Sequence, residues 1–560
     1  MNSTENISFR TDTSHQMSDL DAIKVSLHSL SVIALGWKNL NLDGTSTNDS
    51  CAEYSTFLQP DPATTLGEQF LKIAQIRGSY PAVITPEQSF SYQWILEAAQ
   101  TVRSHLENDP NFQPGSPVAM MVNNSPEYLG IYYGILLAQG VAVPLPPDVE
   151  IDRLAFVVDA CDITTLMTTP DIARRRHTDI GKKVKQINRL SSSPLPPQFP
   201  DSGEDLATIL FTSGSTGAPK GVMLSHKNLM SNSLSIIDYL ELDSTERALA
   251  VLPFCHTFGN SVLQSHVLTG NTLVLGANIA FPGSILQMME QYECTSFSAV
   301  PEVFHFLLTR TSLGENQSPN LRYMSVAGGA LSKKDTVTLS ERIHPAKLFV
   351  MYGQTEATAR ISYLPPDLLT ERLGSVGTGL KGHELQVVNH QGEPVRPGER
   401  GEIRTRGPNI TKGYWKDPET TAQIIRQGWL YTGDLATIDA DGFVYPVGRS
   451  NALLKIGGHR FHPNELETFI QKRFTSTRAV VVGYECSHLG TRLALYAKSE
   501  DPDHVISSDA IAAVCRQQLP THKIPTYIEI LDEFPLNSSM KLDRPALSQR
   551  ASQRNILVAH

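Results

Sequence analysis

A ten-residue loop, Thr212-Ser-Gly-Ser-Thr-Gly-Ala-Pro-Lys-Gly221, directly follows a short apolar run, Leu206-Ala-Thr-Ile-Leu-Phe211. The run reads as a buried β-strand. Small hydroxyl residues and three glycines let the backbone approach a phosphate closely and aim N–H groups at it. Lys220 adds a positive charge at the end of the loop. A strand that opens into a phosphate cradle fits a sheet-based α/β chain, because such sheets hold ligands at the carboxyl ends of their strands.

The loop departs from the common nucleotide-binding pattern, which needs Gly, four residues, then Gly-Lys-Ser/Thr before a helix. Here Lys220 stands between Pro219 and Gly221. The ordered Ser/Thr-Gly-Ser-Thr-Gly-x-Pro-Lys-Gly pattern resembles the phosphate loop of the adenylate-forming superfamily. That superfamily comprises acyl-CoA synthetases, luciferase-like enzymes and the adenylation domains of peptide synthetases.

Four further segments resemble motifs of the same superfamily, in the same order along the chain. Phe349-Val-Met-Tyr-Gly-Gln-Thr-Glu-Ala357 is an apolar strand ending in an aromatic, a glycine turn, a hydroxyl and a carboxylate. Read by itself, it is a strand followed by a capped turn, with Thr355 as an acceptable N-cap. The resemblance implies that Tyr352 stacks on adenine beside Gly353. It further implies that Thr355 hydrogen-bonds the α-phosphate and that Glu356 binds Mg2+. Mg2+ prefers one or two carboxylates plus phosphate oxygens. Upstream, Ser325-Val-Ala-Gly-Gly-Ala-Leu-Ser332 runs from a strand into a glycine turn. The resemblance gives Gly328, Gly329 and Ala330 contacts to adenine and to the acid pocket. Trp429-Leu-Tyr-Thr-Gly-Asp434 and Gly448-Arg449 supply, by the same resemblance, a ribose-binding Asp434 and a nucleotide-contacting Arg449. The last segment, Pro535-Leu-Asn-Ser-Ser-Met-Lys-Leu-Asp-Arg544, matches the spacing of the family's catalytic-lysine segment and assigns that role to Lys541. Met540 stands where the family usually has glycine.

The resemblance also covers the pocket and the hinge. In Leu252-Pro-Phe-Cys-His-Thr-Phe-Gly259, His256, Phe258 and Gly259 take acid-pocket positions, with His256 as a gate and not a general base. Asn451 occupies the hinge position, where aspartate or lysine is usual. Lys455, Gly457 and Gly458 belong to the face that receives the thiol. The cofactor-binding set is then Thr212, Ser213, Gly214, Ser215, Thr216, Gly217 and Lys220 with the adenine and ribose residues named above.

Composition bounds the alternatives. The 560 residues carry a net charge of −10, which argues against a nucleic-acid partner. Six scattered cysteines without metal-type spacing fit a reducing compartment, and the N-terminal residues show no secretory signal pattern. A cytoplasmic chain is expected. The stretch from Tyr128 to Leu145 is broken by Gly130, Gly134, Gly140 and Pro144, so it reads as a buried helix followed by a strand and not as a membrane span. Helical and strand patterns alternate from about Leu66 onward, with helices over Thr65 to Ile76 and Ser91 to Leu106. Strands are expected over Val118 to Val122 and Val141 to Leu145. Leu20 to Leu35 reads as a helix within an otherwise polar extension.

The fold expected is α/β. A large N-terminal domain of parallel-sheet layers carries a small β-barrel-like part, followed by a small mobile α+β C-terminal domain. The boundaries are 1–62 for the extension, 63–449 for the AMP-binding domain and 450–560 for the small domain. The activity implied is ATP-dependent conversion of a carboxylic acid to an acyl-adenylate with release of pyrophosphate. Transfer to CoA or to the phosphopantetheine of an acyl or peptidyl carrier protein follows, in a monomer or homodimer. Amino-acid enzymes usually place an aspartate after the gate. Thr257-Phe-Gly-Asn260 contains no acid, so a simple carboxylic acid is favoured over a stand-alone amino-acid adenylating enzyme. A non-catalytic nucleotide-binding homologue is a further alternative, against which Glu356, Asp434, Arg449 and Lys541 argue, and a luciferase-type oxygenation is another, which needs a special substrate.

Overall fold

The structure is a computed structural model. It describes residues 31–35, 60–61, 63–175, 184–187, 203–212, 219–314, 319–449, 454–456, 459–474, 476–486, 490–501, 506–537 and 541–558. Two large sheets face each other across a layer of helices. The first runs, in spatial order, Val184–Ile187, Ser31–Leu35, Thr165–Thr168, Pro117–Met121, Val141–Leu145, Leu206–Thr212 and Lys220–Ser225. All neighbours are parallel except the last pair, a hairpin in which Thr212 faces Lys220. The second sheet has a parallel centre, Lys347–Tyr352, Tyr323–Val326, Ser296–Ala299, Arg247–Ala250, Thr272–Val274 and Pro81–Ile84, with antiparallel strands at both edges.

Capping defines where the helices begin. Thr65 forms a capping box with Glu68 at the start of Leu66–Ile76. The Ser91 hydroxyl accepts from the Trp94 N–H at the start of Tyr92–Glu107. Ser125 caps Pro126–Leu137, with proline in the first turn. These helices bury one continuous core with the facing sides of both sheets. Val118, Met120 and Leu210 come from the first sheet, Val83, Ala248 and Leu273 from the second. Pro126–Leu137 is buried on every side apart from Glu127, which accounts for its apolar character. No helix among the described residues is long and apolar enough to cross a membrane.

Ser31–Leu35 corrects one expectation, because it is a strand and not the end of a helix. Its register places it between Thr165–Thr168 and Val184–Ile187. Ser-Val-Ile-Ala-Leu is short and apolar, with β-branched Val32 and Ile33, and those properties suit a parallel strand flanked on both edges. Residues 20–30, the remainder of the expected helix, lie outside the described residues. The segment assigned to an extension therefore supplies a strand to the first sheet.

A third, antiparallel sheet (Glu384–Val388, Arg400–Arg406, Trp429–Ile438, Ile425–Arg426 and Val444–Arg449) forms the small β part of the large domain. The C-terminal domain has the hairpin Leu454–Ile456/His459–Phe461 and a three-stranded sheet with helices Pro463–Arg473, Ser508–Gln518 and Arg544–Val558. The α/β architecture with a smaller α+β C-terminal domain is as expected.

Close approach of two helices is set by Gly130 and Gly134, one turn apart. A Cβ on Gly130 would lie 2.7 Å from the Ala98 Cβ, and one on Gly134 would lie 2.5 Å from the Val102 Cβ. Gly134→Val should destabilise the large domain by about 1–3 kcal/mol through overpacking, read as a fall in thermal midpoint. An unchanged midpoint contradicts this packing.

Candidate active site

The site lies at the carboxyl ends of the central strands of the second sheet. Tyr323–Val326 ends in the turn carrying Gly328, Gly329 and Ala330, and Lys347–Tyr352 ends at Gly353. Thr355 and Glu356 follow in a single 3₁₀ turn, Thr355–Ala357. Thr355 does not cap that turn. Gln354 precedes it, and the Thr355 hydroxyl instead shares a hydrogen bond of 2.7 Å with Thr257. The turn is clamped from behind. Buried Asn409 donates to the carbonyls of Ala357, at 3.0 Å, and Arg360, at 2.9 Å. The Thr411 N–H donates to the Glu356 carbonyl.

Two charged clusters face this turn. In the first, the Tyr352 hydroxyl donates to Asp434 Oδ2 at 2.7 Å, and Arg449 Nε donates to Asp434 Oδ1 at 3.0 Å. The adenine, ribose and nucleotide candidates are thus neighbours although 82 residues separate Tyr352 from Asp434. Burial, reinforced by the Asp434 charge, raises the Tyr352 pKa far above the usual phenol range, so the hydroxyl remains a donor. In the second cluster, the Tyr414 hydroxyl donates to Glu356 Oε1 at 2.7 Å, and Lys220 Nζ stands 5.2 Å from the centre of the Tyr414 ring. One tyrosine therefore bridges the carboxylate proposed for Mg2+ and the lysine of the phosphate loop. An acidic side chain beside the loop proposed for phosphate fits Mg2+, which is held through few carboxylates and completed by phosphate and water oxygens. Tyr414 is invisible in the sequence because neither spacing nor pattern links it to Glu356.

Lys541 reaches the same place from the C-terminal domain. The Asn537 N–H donates to the Lys541 carbonyl at 2.8 Å, the Asn537 side chain accepts from the Lys541 N–H at 3.1 Å, and the Asp543 N–H donates to the Pro535 carbonyl at 2.8 Å. Arg544 ties the segment down with two contacts to Glu467, at 2.8 and 3.2 Å, and one to the Val481 carbonyl. The side-chain end of Lys541 lies against Gly328. A Cβ on that glycine, whose φ is +87°, would sit 3.0 Å from Lys541 Cε and 3.2 Å from Nζ. Desolvation and the charge of Arg449 lower the Lys541 pKa, and Glu302 acts in the opposite sense.

Helix Pro301–Arg310 holds the small domain there. Glu302 pairs with Arg478 at 3.2 Å, Arg310 with Glu533, and His305 Nε2 stands 3.9 Å from Glu500. These cross-domain ion pairs escape sequence reading, since each joins residues more than 170 positions apart.

His256, Phe258 and Gly259 sit at the start of helix Thr257–Leu268, next to Thr355 through Thr257. Burial, with help from the Lys541 charge, pushes the His256 pKa down to about 4. The imidazole is neutral near pH 7, in keeping with a gate. It lines a cavity of about 640 Å³ between the two sheets, together with Asn123, Pro146, Asp148, Arg175 and Gly276. Ser213, Gly214, Ser215, Thr216, Gly217, Asn451, Gly457, Gly458 and Met540 lie outside the described residues. Lys455 lies in the strand Leu454–Ile456.

Fold and site together define an adenylate-forming enzyme. The chain belongs to the AMP-binding enzyme family, whose model matches residues 70–415. It is similar to a feruloyl-CoA synthase of an Amycolatopsis species, with 31% identity over 78% of this chain and 89% of the relative. It is also similar to a long-chain-fatty-acid–CoA ligase of Salmonella typhimurium, with 26% identity over 89% and 97%. Among solved structures, ATP-bound MatB from Rhodopseudomonas palustris superposes with a TM-score of 0.76 at 25% identity, covering 88% of this chain and 100% of that one. The O-succinylbenzoate coenzyme A synthetase MenE from Bacillus subtilis, in complex with ATP and a magnesium ion, gives 0.73 at 26% identity, covering 86% and 98%.

Tyr414→Phe removes one hydrogen bond to an ionised group, a contact worth about 1.5–3 kcal/mol. The KM for MgATP should rise roughly ten- to a hundredfold, with a fall of a few degrees in the thermal midpoint from the same lost bond. An unaltered KM contradicts a role for Tyr414 in setting Glu356.

Proposed function

We propose that the chain activates a carboxylic acid as its acyl-adenylate, releasing pyrophosphate, and then passes the acyl group to the thiol of CoA. The observation that carries this reading is the placement of Lys541. Its side-chain end rests on the Gly328 turn, beside the Tyr352–Asp434–Arg449 cluster and within electrostatic reach of His256. The CoA-ligase names of the relatives support CoA as the acceptor.

A carboxylate is a poor electrophile, and its approach to the α-phosphate brings two anions together. The residues at hand address that repulsion. Lys541 would meet the carboxylate and the α-phosphate, and Lys220 would flank the departing β,γ-phosphates. Thr355, fixed by Thr257, offers a hydroxyl to the α-phosphate. Asp434 has only acceptor oxygens and suits the ribose hydroxyls. Glu356 would hold Mg2+, which supplies charge neutralisation on the phosphates when bound. No general base is needed because the acid is already ionised near pH 7, and neutral His256 agrees with that. Preorganised charge and positioning therefore account for the step. The second step requires withdrawal of Lys541. The contacts from helix Pro301–Arg310 are exposed or half-exposed ion pairs at three of their partners, weak enough individually to release.

Acid-dependent exchange of labelled pyrophosphate into ATP tests the reading directly, over fatty and aryl acids with amino acids as the contrast. Lys541→Ala should lower exchange about a hundred- to a thousandfold while leaving thermal unfolding intact, and undiminished exchange refutes the assignment. The pH profile adds a second check. Because the Lys541 pKa is lowered, its ammonium form is lost on the alkaline side at a pH below the ordinary lysine value. The kcat/KM for the acid should fall there in the wild-type enzyme. Lys541→Arg should remove that limb, since a guanidinium stays charged.

A further inference from the structure

Arg360 is 3% exposed and has no carboxylate partner among the described residues. Its backbone is fixed on both sides. Asn232 Oδ1 accepts from the Arg360 N–H at 3.3 Å, and the side-chain amides of Asn232 and Asn409 both donate to its carbonyl at 2.9 Å. Its side chain meets only neutral groups. Nε donates to the Met351 sulfur at 3.3 Å, the Tyr239 hydroxyl donates to the same sulfur at 2.9 Å and acts electrostatically on the guanidinium, and Cζ lies 4.2 Å from the centre of the Phe258 ring. Burial holds the phenols of Tyr239 and Tyr323 protonated, and beyond them His266 is pushed down to about 4. A desolvated cation surrounded by neutral groups lacks the counter-charge that buried ions ordinarily require.

The position of this cation gives it a use. Thr257, bonded to Thr355, opens helix Thr257–Leu268, and the next residue, Phe258, stacks under the guanidinium. One aromatic ring thus separates the threonine proposed for the α-phosphate from the unpaired charge. An acid lying along Phe258, with its carboxylate at Thr355 and Lys541, would aim its far end at Arg360. A guanidinium accepts no hydrogen bond and presents a fork of donors, so the matching group is an oxygen acceptor.

We propose that Arg360 determines the enzyme's choice of acid by binding an acceptor oxygen, strongest when anionic, at the end of the substrate remote from the reacting carboxylate. The inference rests on the acid-activating reading above and narrows its substrate class to acids with a second polar terminus. Plain alkyl acids would leave the guanidinium unpaired, and sites built to hydrogen-bond a substrate group discriminate strongly against analogues that lack it.

The test is pyrophosphate exchange with matched pairs of acids: hexanoate against adipate, and benzoate against 4-hydroxybenzoate. In the wild-type enzyme the member with the distal oxygen should be favoured in kcat/KM by about tenfold or more. Arg360→Met should collapse that ratio toward unity while the KM for ATP stays unchanged, and Arg360→Lys should retain part of it. A merely structural arginine would lower exchange with both members equally and leave the ratio intact, which overturns the proposal. Equal or better use of the plain acids by the wild-type enzyme overturns it as well. That arm decides the matter even if Arg360→Met fails to fold. Exchange with none of the acids overturns the acid-activating reading itself, a result distinct from exchange without selectivity.

Discussion

The site depends on carrying one ammonium group across a domain boundary and holding it against a glycine. Lys541 belongs to the small domain, and the turn it touches belongs to the large one. A Cβ at Gly328 would crowd its Cε and Nζ, and the positive φ there favours glycine as well. The cost of this placement is visible in the lowered Lys541 pKa, which reflects desolvation and the repulsion of Arg449. Ion pairs along one helix hold the small domain against that repulsion. Glu302 serves twice, pairing Arg478 across the boundary and stabilising the Lys541 charge. The arrangement suits an enzyme that must collect positive charge before its anionic substrates arrive. Phosphates entering between Lys541, Arg449 and Lys220 would relieve the repulsion that the free protein carries.

Hydroxyl groups do the finer positioning. Tyr352 and Tyr414 each donate to one of the two site carboxylates, Asp434 and Glu356, and Thr257 fixes Thr355. None of these bonds adds charge. Each sets where an acceptor or donor points, and buried phenols of raised pKa keep their protons through the working range. Asn409 and Asn232 then lock the backbone of the turn to neighbouring elements, so that Thr355 and Glu356 rest on a buried amide scaffold.

Local signals in the chain made much of this legible. Thr65, Ser91 and Ser125 are capping residues that act on their own first turns, and the helices begin where they stand. Glycine turns after apolar strands placed Gly328 and Gly353 at the sheet's carboxyl edge. What stayed hidden is whatever depends on distant partners. Ser31–Leu35 has its strand character decided by two neighbours in the sheet, and its short apolar run is equally compatible with helix until they are known. Tyr414 acquires meaning only through Glu356, 58 residues away, and Glu302 only through Arg478, 176 residues away. Arg360 is the extreme case. In sequence it is an unremarkable arginine after a motif, and its burial without a counter-ion among the described residues sets it apart.

That burial also bears on how the two ends of an acid bound as proposed would divide the work of recognition. At the proposed reacting end, His256 is neutral, and the cations Lys541, Lys220 and Arg449 would face groups every substrate of this class shares: a carboxylate and a triphosphate. Contacts of that kind cannot distinguish one acid from another. Discrimination must come from the end where acids differ, the end proposed above to meet the guanidinium buried among Tyr239, Phe258 and Tyr323. Replacing it by an apolar residue of similar length would remove an unpaired buried charge, and such replacements are often neutral or favourable for folding. A chain selected for stability alone has little reason to keep Arg360, whereas a chain selected to recognise an oxygen at that depth does.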